Sequence, residues 1–215
     1  MVERFSAVLQ DAGALRALYR DPSEIIRQKK VPRLGDLTRR FIAGSPFCLV
    51  ATSGEDGSCD VSPRGGPPGF VRVLDETGLA IPDLLGNNLL DSLSNIVANP
   101  HVGLLFVIPG RDETLRVEGR ACLTIDPEVL GLWDGELRRP RLAIGVEINT
   151  VYPHCAKSFR RGRVWEPTSW DELDAPDTCE IAIDELGLDA TVADIRAYTE
   201  AEYARELADE KAVHE

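Results

Sequence analysis

The stretch Ser62-Pro63-Arg64-Gly65-Gly66-Pro67-Pro68-Gly69-Phe70-Val71 decides how this chain is organised. Proline fixes its own φ and lacks an amide donor, and glycine disfavours regular structure, so this backbone cannot be helical. We therefore expect Arg64 to be held on a shaped loop between two strands. There it either contacts a ligand or, as a surface residue, stabilises the turn.

A second informative stretch is Ile81-Pro82-Asp83-Leu84-Leu85-Gly86-Asn87-Asn88-Leu89-Leu90-Asp91-Ser92. It has the pattern of a strand end, a polar turn and the first residues of a helix. Backbone N–H groups at a helix start bind anions. Two loops of this kind on neighbouring strands could share one phosphate. Even without a phosphate, Asp91 and Ser92 predict a helix start.

The length and composition are those of a globular protein. The 215 residues are 43% apolar and 28% charged, which suits one domain, alone or with an appendage. No apolar run approaches the roughly 18 residues of a membrane span, and the N-terminus carries charges where a signal peptide is apolar. We expect a cytoplasmic protein with no membrane partner.

The cysteine and histidine patterns argue against a disulfide framework and a metal site. The five cysteines are an odd number without a Cys-x-x-Cys pair, which indicates free thiols in a reducing compartment. The three histidines lie too far apart in sequence to suggest a local metal motif. Cys48, Cys59 and Cys122 fall in predicted strands, so we expect them to be small core residues.

The negative charge of the chain is concentrated at its C-terminal end. Residues 166–215 hold sixteen acidic and three basic residues, a net charge of −13, whereas the first 165 residues hold 20 acidic and 21 basic residues. Such a tail repels nucleic acid, whose affinity for proteins comes largely from phosphate neutralisation. We therefore expect no nucleic-acid partner, although the near-neutral body can contain a local positive pocket.

Hydrophobic periodicity and turn residues predict a mainly β chain of the α+β class. Helices are expected in two pieces over 11–30, and over 36–43, 90–99, 127–133 and 191–211; strands are expected over 47–52, 59–62, 70–74, 78–81, 102–108, 114–124 and 142–148. Strand 102–108 is expected to be buried on both faces. Leu37 and Phe41 are expected to share one helix face, and Leu93, Ile96 and Val97 are expected to face inward. Sequential short strands with few intervening helices predict an antiparallel barrel or sandwich.

The order of these motifs resembles the pyridoxamine 5'-phosphate oxidase-like FMN-binding split-barrel family. The resemblance is greatest to a bacterial subfamily that reads Ser-Pro-Phe, Ser-Pro-Arg-Gly-Asp-x-Pro-Gly-Phe-Val, Ile-Pro-Asp-Arg-x-Gly-Asn-Asn-Arg-x-Asp-Ser, Asn-Pro-x-Val-Gly-Leu-Leu-Phe, Glu-Thr-Leu-Arg-Val-Asn-Gly and His-Cys-x-Lys. The corresponding stretches of this chain are 45–47, 62–71, 81–92, 99–106, 113–119 and 154–157. The resemblance implies an antiparallel split β-barrel with flanking helices.

The resemblance also divides the chain into three regions. An N-terminal helical segment would cover residues 1–44, a split-barrel flavin-binding domain residues 45–165, and an acidic extension with a helix residues 166–215. A capping-box pattern from Thr191 to Asp194 starts the helix of the extension. We expect that helix to pack on its own domain or on a partner subunit.

The family further implies a homodimer with FMN at the subunit interface and a small-molecule substrate. The residues that the resemblance places around the cofactor are Ser62, Arg64, Asp83, Asn87, Asn88, Ser92, Thr114, His154, Lys157, Arg160 and Trp165. Arg64 would contact the phosphate or the ribityl chain. The two asparagines and Ser92 would line the phosphate turn.

A second part of this predicted site would surround the flavin ring. Thr114 would border the isoalloxazine, and His154, Lys157, Arg160 and Trp165 would form the other wall. The basic residues between 157 and 163 are the densest positive cluster in the chain, which suits a dianion. The alternative is a solvated helix face paired with the acidic tail. Trp165 could cover a flat ring, and His154 either faces the flavin or donates to the backbone.

Several positions depart from the subfamily pattern. Leu84 and Leu89 stand where the subfamily usually has arginine, Gly66 replaces its aspartate, Glu118 its asparagine, and Gly162 stands where serine is common. Each lost charge-assisted hydrogen bond to a phosphate removes roughly 1.5 to 3 kcal/mol of binding free energy. The departures therefore predict weak FMN binding, another ligand in its place, or no cofactor.

Three functions remain open from the sequence. The first is an FMN-dependent oxidoreductase of unknown substrate, in which the cofactor performs the redox chemistry. A true pyridoxamine phosphate oxidase is not expected, because the tail is acidic where that enzyme carries an Arg-x-His-type motif. The second is a non-enzymatic flavin- or haem-binding or stress protein on the same fold, which Leu84 and Leu89 favour. The third is an interaction module that uses the acidic tail.

Overall fold

A computed structural model describes residues 4–170 and 174–211 of the chain. Its strands are β1 (Phe47–Ser53), β2 (Cys59–Gly65), β3 (Arg72–Val73), β4 (Gly78–Pro82), β5 (His101–Val107), β6 (Thr114–Thr124) and β7 (Ala143–His154). They form one antiparallel sheet in the order β2-β1-β5-β6-β7-β4-β3. The predicted mainly β split barrel with flanking helices is confirmed.

The helices lie before, between and after the strands. They are α1 (Ala12–Ala17), α2 (Glu24–Gln28), α3 (Asp36–Ala43), α4 (Asp91–Ala98), α5 (Pro127–Leu130), α6 (Lys157–Arg161), α7 (Thr178–Leu186) and α8 (Val192–Asp209), with 3₁₀ turns at Gly131–Trp133 and Pro167–Ser169. Sequence periodicity did not indicate α6 or α7, which are short and largely exposed. No helix of the described residues is long and apolar enough to cross a membrane.

Alternation of side chains along the strands builds the core. In β6, Leu115, Val117 and Ala121 are buried, as a half-exposed strand requires. β5 alternates as well over most of its length, so the prediction of a strand buried on both faces was wrong. The core is therefore the interior of one curved sheet, closed by α3 and α4.

Some apolar side chains do not reach that core. Leu37 and Val97 are each 75% exposed, and the inward faces of their helices are formed instead by Ile42 and by Leu93 with Ile96. Cys48 is buried as predicted, whereas Cys59 and Cys122 are exposed. A helix of two turns buries only a narrow stripe, so residues at its margin are left in solvent.

The N-terminal segment is attached to the sheet at Val31, which exchanges backbone hydrogen bonds with Val151 of β7. Beside it, the ammonium groups of Lys29 and Lys30 lie 5.0 and 4.8 Å from the ring centroid of Tyr152. The Tyr152 hydroxyl in turn donates to a carboxylate oxygen of Glu118 at 2.8 Å. The attachment thus combines backbone pairing with cation–π contacts.

β6 and β7 pack tightly at the β-bulge beside Gly119, and a substitution there can measure this. A methyl group on Gly119 would lie 2.2 Å from the backbone oxygen of Glu147. We predict that Gly119→Ala lowers the free energy of unfolding by about 3 kcal/mol, because backbone cannot yield as a flexible side chain can. The matched change Gly103→Ala in β5 meets only Ala51, at 3.9 Å, and should cost less than about 1 kcal/mol. Urea denaturation of both variants checks the difference, and equal losses would contradict it.

Candidate functional site

A cavity of about 610 Å³ opens at the seam of the sheet, between edge strand β2 and the turn that follows β4. Its wall includes β2, the turn over residues 83–90, the first residues of α4, and two residues near the end of α8. Three separate segments of the chain, residues 60–65, 82–93 and 207–210, therefore meet at this one place. The cavity is the candidate site.

The β2 wall of the cavity is built by strand alternation. Asp60, Ser62 and Arg64 share one face of β2, since side chains two residues apart point the same way. Their partners on β1 are Thr52, Val50 and Cys48, which belong to the buried face of the sheet. The predicted loop around Arg64 is thus corrected to a strand, and the polar row continues the core face at the sheet edge.

An edge position explains why Pro63 can stand in this strand. Pro63 is opposite Leu49 of β1, and β2 has no strand on its other side within the described residues. The missing amide donor of proline leaves no ladder bond unmade on a free edge. The sequence argument excluded a helix correctly but did not consider an edge strand.

Arg64 reaches across the seam to Asp83. An Nη1 atom of Arg64 lies 2.9 Å from Oδ1 of Asp83, and the two side chains are only 19% and 22% exposed. The Nε atom of Arg64 is buried and has no hydrogen-bond partner among the residues described. A buried guanidinium with an unused donor is costly unless a further acceptor joins it.

The same guanidinium adjoins Cys48 on β1. Burial raises the pKa of the Cys48 thiol to about 12, and the positive charge of Arg64 opposes that rise only partly. The thiol is therefore neutral and unreactive near neutral pH. Cys48 serves as a small packing residue beneath Arg64.

The turn after β4 has a special backbone. Asn88 and Leu90 have φ values of 58° and 63°, in the left-handed region that non-glycine residues rarely adopt. The side-chain oxygen of Asn87 accepts a hydrogen bond from the N–H of Leu89 at 3.1 Å. Leucine in this conformation is strained, and such strain is concentrated at ligand-binding sites.

This turn delivers the start of α4 to the cavity. The N-cap of α4 is Leu90, whose side chain cannot accept a hydrogen bond from the first N–H groups of the helix. Ser92, in the first turn, is buried and donates its hydroxyl hydrogen to the carboxylate of Asp60. The helix start therefore keeps backbone donors at the cavity, while the Asp60 carboxylate is already engaged.

The C-terminal extension also contributes to the wall. Leu207 of α8 and Glu210, which follows it, line the cavity. The backbone N–H of Leu85 donates to Oε1 of Glu210 at 2.8 Å. Burial raises the pKa of Glu210, a change that the Leu85 hydrogen bond partly offsets.

Six of the predicted site residues are brought together here. They are Ser62, Arg64, Asp83, Asn87, Asn88 and Ser92, and all of them line the cavity. Sequence reasoning missed Asp60 and Glu210. The alternation Asp-x-Ser-x-Arg in β2 could have indicated Asp60, but no local signal connects Glu210 with a turn 125 residues earlier.

The other five predicted residues lie elsewhere on the chain, and none of them lines this cavity. Thr114 and His154 are paired opposite each other where β6 begins and β7 ends. Arg160 binds Asp112 at 2.8 Å, and Trp165 stacks on Phe159 with ring centroids 5.7 Å apart. Lys157 is exposed at the start of α6.

The basic cluster around α6 is partly neutralised by nearby carboxylates. Arg160 pairs with Asp112, which precedes β6, and Arg163 pairs with Glu166. The indole N–H of Trp165 donates to the carbonyl of Arg111 at 2.8 Å. These contacts hold α6 against the start of β6. We call Thr114, His154, Lys157, Arg160 and Trp165, the residues predicted to surround the flavin ring, the second predicted group.

Gly66 has a steric reason to be glycine here. A Cβ atom at this position would lie 2.7 Å from Cβ of Phe70, closer than side chains approach each other. Phe70 is buried, and its carbonyl accepts a 2.7 Å hydrogen bond from the indole N–H of Trp133. The backbone around Gly66 thus leaves no room for the aspartate of the similar subfamily.

An anionic group fits the cavity on two observations of this structure. The unpaired Nε donor of Arg64 and the N–H groups at the start of α4, capped by an apolar residue, both require acceptors. Four carboxylates line the cavity, those of Asp60, Asp83, Asp91 and Glu210. Three of them already accept hydrogen bonds, Asp60 from Ser92, Asp83 from Arg64 and Glu210 from the N–H of Leu85. These donors therefore suit a phosphate or a carboxylate. The cavity holds fewer positive charges than it would with arginine at positions 84 and 89, as in the similar subfamily.

Comparison with known proteins identifies the class. The sequence pattern of the family described as pyridoxamine 5'-phosphate oxidase matches residues 34–155, more than half of the chain. The chain belongs to this family, whose region covers the sheet and ends just after β7. None of the curated proteins matches the chain significantly.

Solved structures with a similar fold include three bacterial proteins. HupZ from Group A Streptococcus is 16% identical with a TM-score of 0.46, over 55% of this chain and 91% of that one. A putative pyridoxamine 5'-phosphate oxidase from Lactobacillus delbrueckii is 20% identical with a TM-score of 0.45, over 58% and 99% of the two chains. A FAD-binding protein from Mesorhizobium loti is 18% identical with a TM-score of 0.40, over 56% and 94%.

A double-mutant cycle on Arg64→Met and Asp83→Asn measures the bond across the seam. We predict that each single change lowers the free energy of unfolding by about 1 to 3 kcal/mol, because it leaves a half-buried partner unsatisfied. The coupling energy should be about 1 kcal/mol or more. The exposed pair Arg33 and Glu76, 71% and 60% exposed, is the control and should couple by less than about 0.5 kcal/mol. A seam coupling no larger than that of the control would contradict the prediction.

Proposed function

We propose that this chain is a flavin-binding protein that holds FMN and acts as an FMN-dependent oxidoreductase on a small molecule. The observation that carries the proposal is the buried, unpaired Nε donor of Arg64 beside the apolar-capped start of α4. Membership of the pyridoxamine 5'-phosphate oxidase family supports a flavin as the ligand. The five free cysteines support a reducing, cytoplasmic location.

The phosphate end of the cofactor is assigned to the cavity at the seam. Arg64 would donate from its guanidinium, and the first N–H groups of α4 would donate from the backbone, with Asn87 and Asn88 shaping the turn. Ser62, which lies between Asp60 and Arg64 on β2, would contact the ribityl chain of FMN next to the phosphate. When bound, FMN supplies the electron or hydride transfer, while the protein binds and orients it.

The ring end of the cofactor is assigned to the second predicted group on another subunit. Thr114, His154 and the residues around α6 do not line the cavity of their own chain. We infer that a ligand which contacts both groups does so between two copies, in which the sheet end of one faces the cavity of the other. Light scattering should give twice the chain mass of 23.6 kDa, and a monomer would contradict this arrangement.

Titration of the purified protein with FMN and with riboflavin tests the assignment. We predict that Arg64→Met weakens FMN binding at least tenfold, since a charge-assisted hydrogen bond contributes about 1.5 to 3 kcal/mol, and changes riboflavin binding less because riboflavin has no phosphate. Arg120→Met, on the exposed side of β6, is the control and should leave both affinities unchanged. Wild-type protein that ignores FMN, or an equal loss for both ligands, would count against the proposal.

A second candidate function, a carrier of flavin, haem or another planar ligand, is favoured by one observation. Leu85, Leu89 and Leu90 present exposed apolar side chains on the cavity wall, where a reaction site gains little from them. The two candidates differ in turnover. In an oxidoreductase, NADPH or a reduced deazaflavin should reduce the bound flavin, which bleaches its visible absorbance. A substrate should then reoxidise the flavin and restore that absorbance. Bound flavin that resists every reductant, or an absorbance spectrum of haem, would favour the carrier.

A further inference from the structure

The C-terminal arm, residues 192–211, ends on the rim of the cavity. The backbone carbonyl of Glu210 accepts a 2.8 Å hydrogen bond from the N–H of Arg138, and Lys211 forms a β-bridge with Leu137. These contacts bring the Glu210 carboxylate to the N–H of Leu85. Leu207, one turn earlier, lines the same cavity. The arm is thus anchored at its tip by a few polar contacts.

Along the rest of its length the arm contacts α7, where Arg196 forms a salt bridge with Asp177. None of the described side chains of α8 is fully buried, so its apolar contacts add little to its docking. Its last turn contains acidic and no basic residues, which is unfavourable at the negative end of a helix dipole. The stability of α8 therefore does not explain a glutamate at position 210, whereas the hydrogen bond between Glu210 and the N–H of Leu85 does.

Glu210 occupies a backbone donor in the wall of the cavity, since the N–H of Leu85 is bonded to its carboxylate. The Leu85 N–H belongs to the turn that leads into α4, and a carboxylate oxygen at 2.8 Å has the same acceptor chemistry as a phosphate oxygen. Two anions at one donor repel each other, so ligand and arm tip cannot occupy it together. Burial, which raises the pKa of Glu210, agrees with a carboxylate drawn from water into the wall.

We propose that the tip of the C-terminal arm is an autoinhibitory plug, in which the Glu210 carboxylate occupies the Leu85 N–H and competes with the anionic ligand of the cavity. This inference rests on the proposed function only in that the cavity takes an anion. Entry of the ligand displaces Glu210, and any interaction that lifts the arm raises the affinity of the cavity. The acidic extension thereby regulates a cavity formed mainly by the region that matches the family, residues 34–155.

Glu210→Ala tests the plug in the full-length chain, and Glu206→Ala is the matched control. Both changes remove one negative charge from the same helix end, but Glu206 does not line the cavity. The Arg138 bond to the backbone of residue 210 is kept in both variants. Amide hydrogen exchange of Leu85, read by NMR without any ligand, should become about tenfold faster in Glu210→Ala alone. Equal exchange in the three proteins would overturn the proposal.

A titration with inorganic phosphate measures the competition directly. The chemical shift of the Leu85 amide should report binding with an apparent Kd about tenfold lower in Glu210→Ala than in the wild type or the Glu206→Ala control. Glu210→Gln, which keeps an acceptor but loses the charge, should fall between them. Phosphate that binds all variants equally, or none of them, would overturn the plug.

The two proposals fail separately in these experiments. Faster exchange and tighter phosphate binding in Glu210→Ala, together with no response of any variant to FMN, would support the plug and contradict FMN as the ligand. FMN binding that is the same in wild type and Glu210→Ala would support the flavin site and overturn the plug. Tighter FMN binding with unchanged riboflavin binding in Glu210→Ala supports both.

Discussion

The ion pair between Arg64 and Asp83 joins two parts of the sheet that backbone hydrogen bonds leave apart. Arg64 lies on edge strand β2, whereas Asp83 directly follows β4 near the opposite edge. Because both side chains are largely withdrawn from water, loss of either partner leaves a charge without compensation. The pair therefore holds the seam at the spacing that forms the cavity, and it leaves the buried Nε donor of Arg64 without a hydrogen-bond partner among the described residues.

This constraint explains how an acidic protein can contain the proposed site for an anion. The carboxylates nearest to the seam are occupied, Asp83 by Arg64 and Asp60 by the hydroxyl of Ser92. The local balance of donors and acceptors, rather than the net charge of −12, decides what the cavity attracts. Asp91 and Glu210 also line the cavity, and the Glu210 carboxylate, which comes from the acidic extension, accepts a hydrogen bond from the N–H of Leu85.

The sequence predicted much of the fold because its signals were local. The alternation in β6, the turn before α4 and the break after α3 depend on neighbours a few residues away. Arg64 was assigned to a loop because the prolines and glycines around it exclude a helix, and only the edge position of β2 makes Pro63 acceptable in a strand. Val97 and Leu37 have the apolar character of core residues, but their helices turn other faces inward. Six of the residues assigned to the site line one cavity, whereas the group around His154 does not line it.

The amino-acid sequence by itself determined the antiparallel split barrel, the family and two of the segments that supply the cavity, residues 60–65 and 82–93, because periodicity, turns and motif order act over short distances. Only the tertiary structure decided that Asp83 would close the seam with Arg64, that Gly66 had no room for a side chain beside Phe70, and that Glu210 would reach Leu85. Each of these facts depends on where distant segments come to rest, and chain closure over such separations is set by packing of the whole domain rather than by any local preference.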